Sequence, residues 1–203
     1  MSQRTVVYVP DGVKRYVSPE DLVACWRKYT TRIPCQHVCG TAQHETNYVL
    51  NELDTEPSGF QSGGLLQLDS DEAKAAGRPK AVLYDLDDAC FVFANRCEFR
   101  LDTILAAADL DEPTPDVWAY LAIAHNQGLG RFATAARRKP GEHPGALGSI
   151  ADYGLDWPAY KARNPQYAHN MIPYGDDCIS GGEKWDRAAA YLAANPIPLP
   201  LSS

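Results

Sequence analysis

The strongest constraint on the fold is the segment "TPDVWAYLAIAHNQGLG", which is strongly apolar through Trp118, Leu121 and Ile123. Thr114 at the N-cap and Pro115 at the first helical position predict where a helix begins. The glycines that follow allow positive φ and predict where it ends. Because a helix this apolar has to be covered by other elements, we expect it to lie at the centre of one core.

Further segments with helical periodicity indicate what surrounds this helix. "SPEDLVACWRKY" starts with Ser18 as an N-cap and Pro19 behind it, and a second helix is predicted over residues 36–47. "SDEAKAAG" predicts a capped helical turn, and "GEKWDRAAAYLAAN" predicts a last amphipathic helix. The longest segment, "DLDDACFVFANRCEFRLDTILAAAD", has these residues along one side: Cys90, Phe93, Cys97, Leu101 and Leu105.

Strand patterns are few. "TVVYVP" predicts a short strand ended by Pro10, whereas "GLLQLD" is too short to tell a strand from a helix start. The segment 133–182, rich in Gly, Pro, Tyr and Asp, gives no assignment. We therefore predict an α+β fold that is mainly α, with a short β or irregular section after the second helix. The predicted organisation is an N-terminal appendage over 1–17, one domain over 18–195 and an extended tail over 196–203.

Length and charge exclude several classes of protein. A chain of 203 residues with 45% hydrophobic residues suits one globular domain. The formal net charge is −7, and "RFATAARRKPG" is the one small basic cluster, so no nucleic-acid partner is expected. No apolar run approaches the roughly 18 residues of a membrane helix, so membrane insertion is not expected either. The N-terminus has no signal-peptide pattern.

The six cysteines are expected to be reduced thiols rather than disulfides, since no secretory signal is recognised in the sequence. Cys90 and Cys97 would lie about 10 Å apart along one helix, too far to form a disulfide. "CQHVC", with His37 and His44 nearby, resembles half of a zinc site, but no second Cys pair follows at finger-like spacing. A zinc-stabilised binding domain is kept as an alternative, and no metal or cofactor is predicted.

The position of one carboxylate, that of Glu45, calls for an explanation. Glu45, in "AQHETNYVLNELDTEPSGFQSGGLLQLD", stands near the end of the predicted second helix, before a loop rich in acids and glycines. It is either a solvated helix end or a general acid facing a cleft. A general acid for glycosidic cleavage needs a raised pKa, which an apolar pocket supplies.

Three blocks decide between these readings. "ET" at 45–46, "GLLQ" at 64–67 and "AHNQGLG" at 124–130 resemble, in order and spacing, the motifs of lytic transglycosylases and goose-type lysozymes. The resemblance covers roughly residues 36–132. Thr46 stands where that family usually has Ser, and His125 where it usually has Tyr. What the resemblance implies is a lysozyme-like domain that cleaves the β-1,4 bond between N-acetylmuramic acid and N-acetylglucosamine in peptidoglycan.

The resemblance also implies roles for single residues. Glu45 would be the acid, and Asp69 falls where goose-type enzymes place an aspartate. Tyr167 is the prediction for the tyrosine that the family has near its glutamate, and Gly64 would let the backbone approach a sugar closely. The expected substrate-binding residues are Thr46, Tyr48, Gly64, Leu65, Gln67, His125, Asn126 and Tyr167.

The reaction after protonation is left open by the sequence. An inverting hydrolase needs a second carboxylate, for which Asp54, Glu56 and Asp69 are candidates. A lytic transglycosylase needs none, because the 6-hydroxyl of the substrate attacks the anomeric carbon and gives a 1,6-anhydro product.

The expected partners are peptidoglycan glycan strands, with other virion or lysis proteins as further candidates. The expected setting is a phage lysin or virion-borne enzyme, made in the cytoplasm and acting in the periplasm or cell wall. Holin release, virion delivery or dedicated secretion would bring it there. The alternative function is a non-catalytic lysozyme-like virion part or saccharide-binding module, since a fold does not guarantee an activity.

Overall fold

The structure is a computed structural model that describes residues 5–55, 58–130 and 143–196. Its elements follow one another in this order: β1 (Thr5–Tyr8), α1 (Pro19–Trp26), α2 (Cys35–Thr46), β2 (Glu52–Thr55), β3 (Gln61–Gly63), α3 (Ser70–Ala75), α4 (Leu86–Ala108), α5 (Pro115–Gln127), α6 (Gly145–Tyr153), α7 (Trp157–Arg163), a 3₁₀ turn (Pro165–Tyr167), α8 (Met171–Ser180) and α9 (Trp185–Ala194). The protein is thus mainly helical with a small sheet, which confirms the predicted α+β class. The basic cluster "RFATAARRKPG", residues 131–141, lies wholly outside the described residues.

Helix α5 is the centre of the core, as predicted. Its residues Val117 and Ala119 to Ala124 are buried, and α4, α6, α7 and α8 pack around it. Trp118 is the exception, because it is only partly buried. In the described ranges no helix has the length and apolarity needed to cross a membrane.

Local capping chemistry sets the start of α1. The Ser18 hydroxyl accepts a hydrogen bond from the backbone N–H of Asp21 at 3.0 Å, and Pro19 is the first helical residue. Such a cap pairs one of the N–H groups that the first turn leaves unsatisfied. The predicted apolar side of α4 is also confirmed, since Cys90, Phe93 and the rest of that series are buried.

The sheet has the order β1-β2-β3, with both pairs antiparallel. Strand β1 lies in the segment predicted as an appendage and pairs Val7 with Leu53 of β2. Beyond β1, the Asn51 amide donates to the Val9 and Val13 carbonyls at 2.7 and 2.8 Å, and Val17 N–H donates to the Tyr48 carbonyl at 3.0 Å. The described part of 1–17 is therefore hydrogen-bonded to the chain that follows α2.

"GLLQ" is neither a strand nor a helix start. Residues 64–67 form a turn closed by two backbone hydrogen bonds between Gly63 and Leu68, of 2.8 and 3.0 Å. Gly64 has φ +76°, and a Cβ there would lie 1.7 Å from the Leu83 carbonyl oxygen. Glycine is needed because the turn approaches the protein's own backbone, which corrects the expectation that it makes room for a sugar.

The cysteines are all free, and five of the six are buried. "CQHVC" lies within α2, where the fully buried His37 ring stacks on Phe93 with centroids 5.9 Å apart. Across the described ranges, no three His, Cys, Asp or Glu side chains are grouped so that they could hold a metal ion. The zinc-domain alternative thus finds no ligand set in this part of the chain.

We expect Gly64→Ala to lower the free energy of unfolding by at least about 3 kcal/mol, because the new Cβ is both strained and blocked by backbone. Gly77→Ala is the matched control, since Gly77 has φ +79° and nothing within 4 Å of a Cβ. It should lose only the conformational penalty of about 1–2 kcal/mol. Urea denaturation measures both, and equal losses would show that the contact with Leu83 is unimportant.

Candidate functional site

A cleft of about 510 Å³ opens beside the end of α2. Its walls come from α2, the β3 strand and the residues before it, the turn leading into α3, and the middle of α4 and the end of α5. Its lining is mostly polar and comprises His44, Glu45, Phe60, Ser62, Gln67, Asp69, Glu72, Arg100, His125, Asn126 and Gln127. Five of these residues were predicted from sequence: Glu45, Gln67, Asp69, His125 and Asn126.

Glu45 lies in the last turn of α2, and its side chain is 13% exposed. The helix ends there because Asn47 and Tyr48 both have positive φ, 51° and 67°, which turns the chain away. His125 is one neighbour of this carboxyl, and its Nε2 lies 3.8 Å from Glu45 Oε1. The carboxyl is therefore largely removed from bulk water but still faces the cleft.

Helix α8 brings a tyrosine to Glu45. Gly40 of α2 packs backbone to backbone on α8, where a Cβ would lie 2.2 Å from the Asp177 carbonyl oxygen. Tyr174 of α8 is fully buried, and the His44 ring stacks on it at 4.2 Å. Burial raises the pKa of Tyr174 well above its usual value, and the charge of the adjacent Glu45 adds to that effect.

The turn 64–67 is tied to α2 and holds Gln67 in place. The Thr46 hydroxyl donates to the Leu65 carbonyl at 3.1 Å, so Thr46 anchors the turn rather than facing the cleft. The Gln67 amide accepts from Ser62 Oγ at 2.8 Å and donates to the Gly64 carbonyl at 3.1 Å. One amide N–H of Gln67 is not used by these bonds and is available to a ligand.

His125 lines the cleft with a side chain that is 5% exposed. Its Nε2 lies 3.0 Å from the Leu66 carbonyl oxygen, and its Nδ1 lies 3.3 Å from Arg100 Nη1. Burial, and then the charge of Arg100, lowers the pKa of His125 to about 3. The ring is consequently uncharged at neutral pH, and its proximity to Glu45 is not an ion pair. Next to it, Asn126 lines the cleft and its amide oxygen accepts from Gln127 Nε2 at 2.5 Å.

Asp69 lines the cleft, but one of its oxygens has a structural task. Asp69 Oδ1 accepts from the backbone N–H groups of Asp71 and Glu72 at 2.7 and 2.8 Å, so it is the N-cap of α3. Glu72 completes the capping box from the other side. Of the other candidate carboxylates, Asp54 is buried in β2 and does not line the cleft, and Glu56 lies outside the described residues.

Besides Thr46 and Gly64, three further predicted binding residues do not line the cleft. Tyr48 is fully buried, with Lys184 Nζ 4.3 Å from its ring centroid. Leu65 is also fully buried. Tyr167 lies in a separate aromatic cluster, with its ring centroid 4.9 Å from His143. The tyrosine beside the glutamate is Tyr174, so the prediction of Tyr167 was wrong in position.

Two residues of the cleft wall were not predicted from the sequence: Arg100 and Glu72, which form a nearly buried ion pair of 2.5 Å. Arg100 sits seven residues after Phe93 and three after Cys97, on the apolar side of α4. A charged residue on such a side is the signal that could have found it. His44 and Tyr174 had no comparable signal, since their meeting depends on how α2 packs on α8.

The chain matches no protein-family model, no curated protein and no solved structure. What points to a function is the geometry of the cleft together with the three sequence blocks that resemble a known family.

Asp69→Ala should lower the free energy of unfolding by about 1 kcal/mol, because it removes the N-cap of α3. Asp69→Asn should cost much less, since asparagine caps about as well as aspartate. Thermal or urea denaturation of the two variants separates capping from charge. If both variants were as stable as the wild type, the capping box would contribute nothing measurable.

Proposed function

We propose that this protein is a muramidase: a lysozyme-like domain that cleaves the β-1,4 bond between N-acetylmuramic acid and N-acetylglucosamine in peptidoglycan. The observation that carries the proposal is that three blocks far apart in the chain contribute Glu45, Gln67 and Asn126 to a single cleft. The resemblance concerns only the order and spacing of these blocks along the chain. If the blocks form one active site, they must also meet in a single cleft of the folded protein.

The surroundings of Glu45 support its role as the proton donor. Cleavage of a glycosidic bond needs a carboxylic acid that protonates the leaving oxygen. Burial of most of the Glu45 side chain disfavours the ionised form, and the neighbouring His125 ring is uncharged at neutral pH. The lining of the cleft is mostly polar, so the burial of the Glu45 side chain, and not an apolar pocket, is the feature that supports its role as the acid.

The remaining walls suit a saccharide. Gln67 and Asn126 carry amides, which can donate to and accept from hydroxyl and acetamido groups. Phe60, 50% exposed at the edge of the cleft, offers a flat apolar face on which a sugar ring can pack. The mixture of one aromatic face and several polar groups is more typical of a sugar site than of an apolar ligand site.

Two reactions can follow the protonation of the leaving oxygen by Glu45. In transglycosylation the 6-hydroxyl of the muramic acid attacks the anomeric carbon, and Glu45 acts as acid and then as base. In hydrolysis a second carboxylate activates water, and Asp69 is the cleft carboxylate at the resembling position. Because one Asp69 oxygen already caps α3, only the other would serve that role.

The proposed setting is a phage lysin or a virion-associated enzyme that acts on the bacterial cell wall. Its substrate partner would be the glycan strand of peptidoglycan, reached after holin release, virion delivery or dedicated secretion. A net charge of −7 gives no attraction to an anionic wall, which favours delivery by other lysis or virion proteins.

We expect Glu45→Gln to lower the rate of muropeptide release at least about a hundredfold, because the amide cannot donate the proton. Purified peptidoglycan is digested with each protein and the products are identified by mass spectrometry. Glu112→Gln, at an exposed position, is the matched control and should retain full activity.

The products also tell the two reactions apart. Products lighter by one water indicate transglycosylation, whereas products with reducing ends indicate hydrolysis and direct attention to Asp69. Equal activity of wild type and Glu45→Gln would rule out Glu45 as the acid. A folded wild type that binds glycan strands and releases nothing would favour the saccharide-binding module instead.

Tyr174→Phe should lower the rate about tenfold, with little change in stability, because the buried Tyr174 hydroxyl has no hydrogen bond within the described residues and is available to the reacting Glu45 carboxyl. The reason is that the phenol stands beside the Glu45 carboxyl. Tyr167→Phe removes the same hydroxyl from the separate aromatic cluster and should stay within about twofold of wild type. Equal losses in both variants would mean that the position of Tyr174 has no special role.

A further inference from the structure

His125 has contacts that fix which of its ring nitrogens carries the hydrogen. Nε2 lies 3.0 Å from the Leu66 carbonyl oxygen, which can only accept, so Nε2 must donate. Nδ1 lies 3.3 Å from Arg100 Nη1, which can only donate, so Nδ1 must be the acceptor. These two partners together are compatible with a single form of the ring, the neutral imidazole with hydrogen on Nε2.

Arg100 is itself held rigidly. Its side chain is 8% exposed, and Nη2 donates to Glu72 Oε1 at 2.5 Å. Glu72 is fixed in turn, because its other oxygen accepts from the backbone N–H of Asp69 at 3.4 Å in the α3 capping box. A guanidinium fixed by one buried carboxylate presents its remaining N–H groups in a constant direction, and one of them faces His125.

The charge of His125 matters because of its position. Nε2 lies 3.8 Å from Glu45 Oε1, too far for a hydrogen bond, and its hydrogen is already directed to Leu66. If the ring were protonated, a cation would stand beside the Glu45 carboxyl and stabilise its ionised form. A cationic His125 would therefore work against proton donation by Glu45.

Some charged groups around His125 raise the pKa of the ring and others lower it. Asp69, at the start of α3, favours the protonated ring, and the Glu45 carboxylate, across the cleft on α2, acts in the same sense when it is ionised. Arg100 on α4 opposes protonation. His37 on α2 is the other imidazole close enough for the charges to affect each other, and burial lowers its pKa to about 3 as well, so it is uncharged too. Burial aside, Arg100 is the group that keeps the ring neutral.

We propose that Arg100 is a positioning residue that holds His125 in the neutral Nε2–H form beside Glu45. In this arrangement Arg100 acts on the reaction through the histidine. The consequence for catalysis rests on the proposed function, in which Glu45 must carry a proton before it can donate one. The statement about His125 itself does not depend on any substrate.

The first test is NMR of protein labelled with ¹⁵N at histidine, in the wild type and in Arg100→Gln. The resonances of His125 are identified by their loss in His125→Gln. The wild type should show the Nε2–H form with no titration of His125 between about pH 4 and pH 8. Arg100→Gln should raise the pKa of His125 by about 1 to 2, so that its titration begins to appear above about pH 4.

Two variants keep this test decisive. Arg100→Lys retains a cation and should keep His125 uncharged over the same pH range. If Arg100 acted only through the shape of its side chain, Arg100→Lys would behave like Arg100→Gln. Glu72→Gln/Arg100→Gln leaves no unpaired buried charge and replaces Arg100→Gln if that protein does not fold. A wild-type His125 with hydrogen on Nδ1, or a titration unchanged by removal of Arg100, would overturn the proposal.

The second test is the pH dependence of muropeptide release. In Arg100→Gln the rate at about pH 4.5, relative to that at about pH 7, should fall about threefold, because His125 becomes partly charged. The same substitution in the His125→Gln background should leave the shape of the profile unchanged, since glutamine does not titrate. Arg163→Gln, on the exposed part of α7, is the matched arginine control. An equal change with and without His125 would show that Arg100 does not act through the histidine.

The two tests fail separately. If the NMR result is as expected and no protein releases muropeptides, the proposed function is wrong and the assignment of His125 stands. If muropeptides are released and the NMR result is not as expected, the role of Arg100 is wrong and the proposed function stands.

Discussion

The backbone contact between α2 and α8 is the constraint on which the cleft depends. Gly40 allows it, because any side chain at that position would run into the Asp177 carbonyl. The contact sets the end of α2 against α8, so that Glu45, His44 and Tyr174 meet. Since α8 also packs on the central helix α5, the same contact fixes Glu45 relative to His125 and Asn126.

A second, polar layer stands behind the cleft. The capping box of α3 holds Glu72, Glu72 holds Arg100, and Arg100 faces His125, whose Nε2–H is directed to the carbonyl of Leu66. Breaking a buried ion pair by removing one partner is costly, because it leaves a charge without compensation. The side chains of this network therefore have few alternative conformations, so the cleft wall next to Glu45 is held in one geometry.

Local signals in the sequence predicted the helices well. Ser18 and Pro19 mark the start of α1, and the apolar side of α4 is the one that the periodicity gives. The same reasoning failed for "GLLQ", where the backbone closes a turn on Gly63 and Leu68. It also gave no assignment for the segment that contains α6, α7 and α8, because these helices are short and their apolar faces are set by what they pack against.

The residues of the cleft likewise fall into those that the sequence identifies and those that only the tertiary structure identifies. The sequence by itself determined that the protein is mainly helical around α5, and it singled out Glu45, Gln67 and Asn126 through order and spacing. Only the tertiary structure decided that Tyr174 rather than Tyr167 stands beside Glu45 and that Arg100 faces His125. The physical reason is range: caps and periodicity act within a few residues, whereas burial, close backbone contact and the charge of a neighbour depend on segments that meet only when the chain is folded.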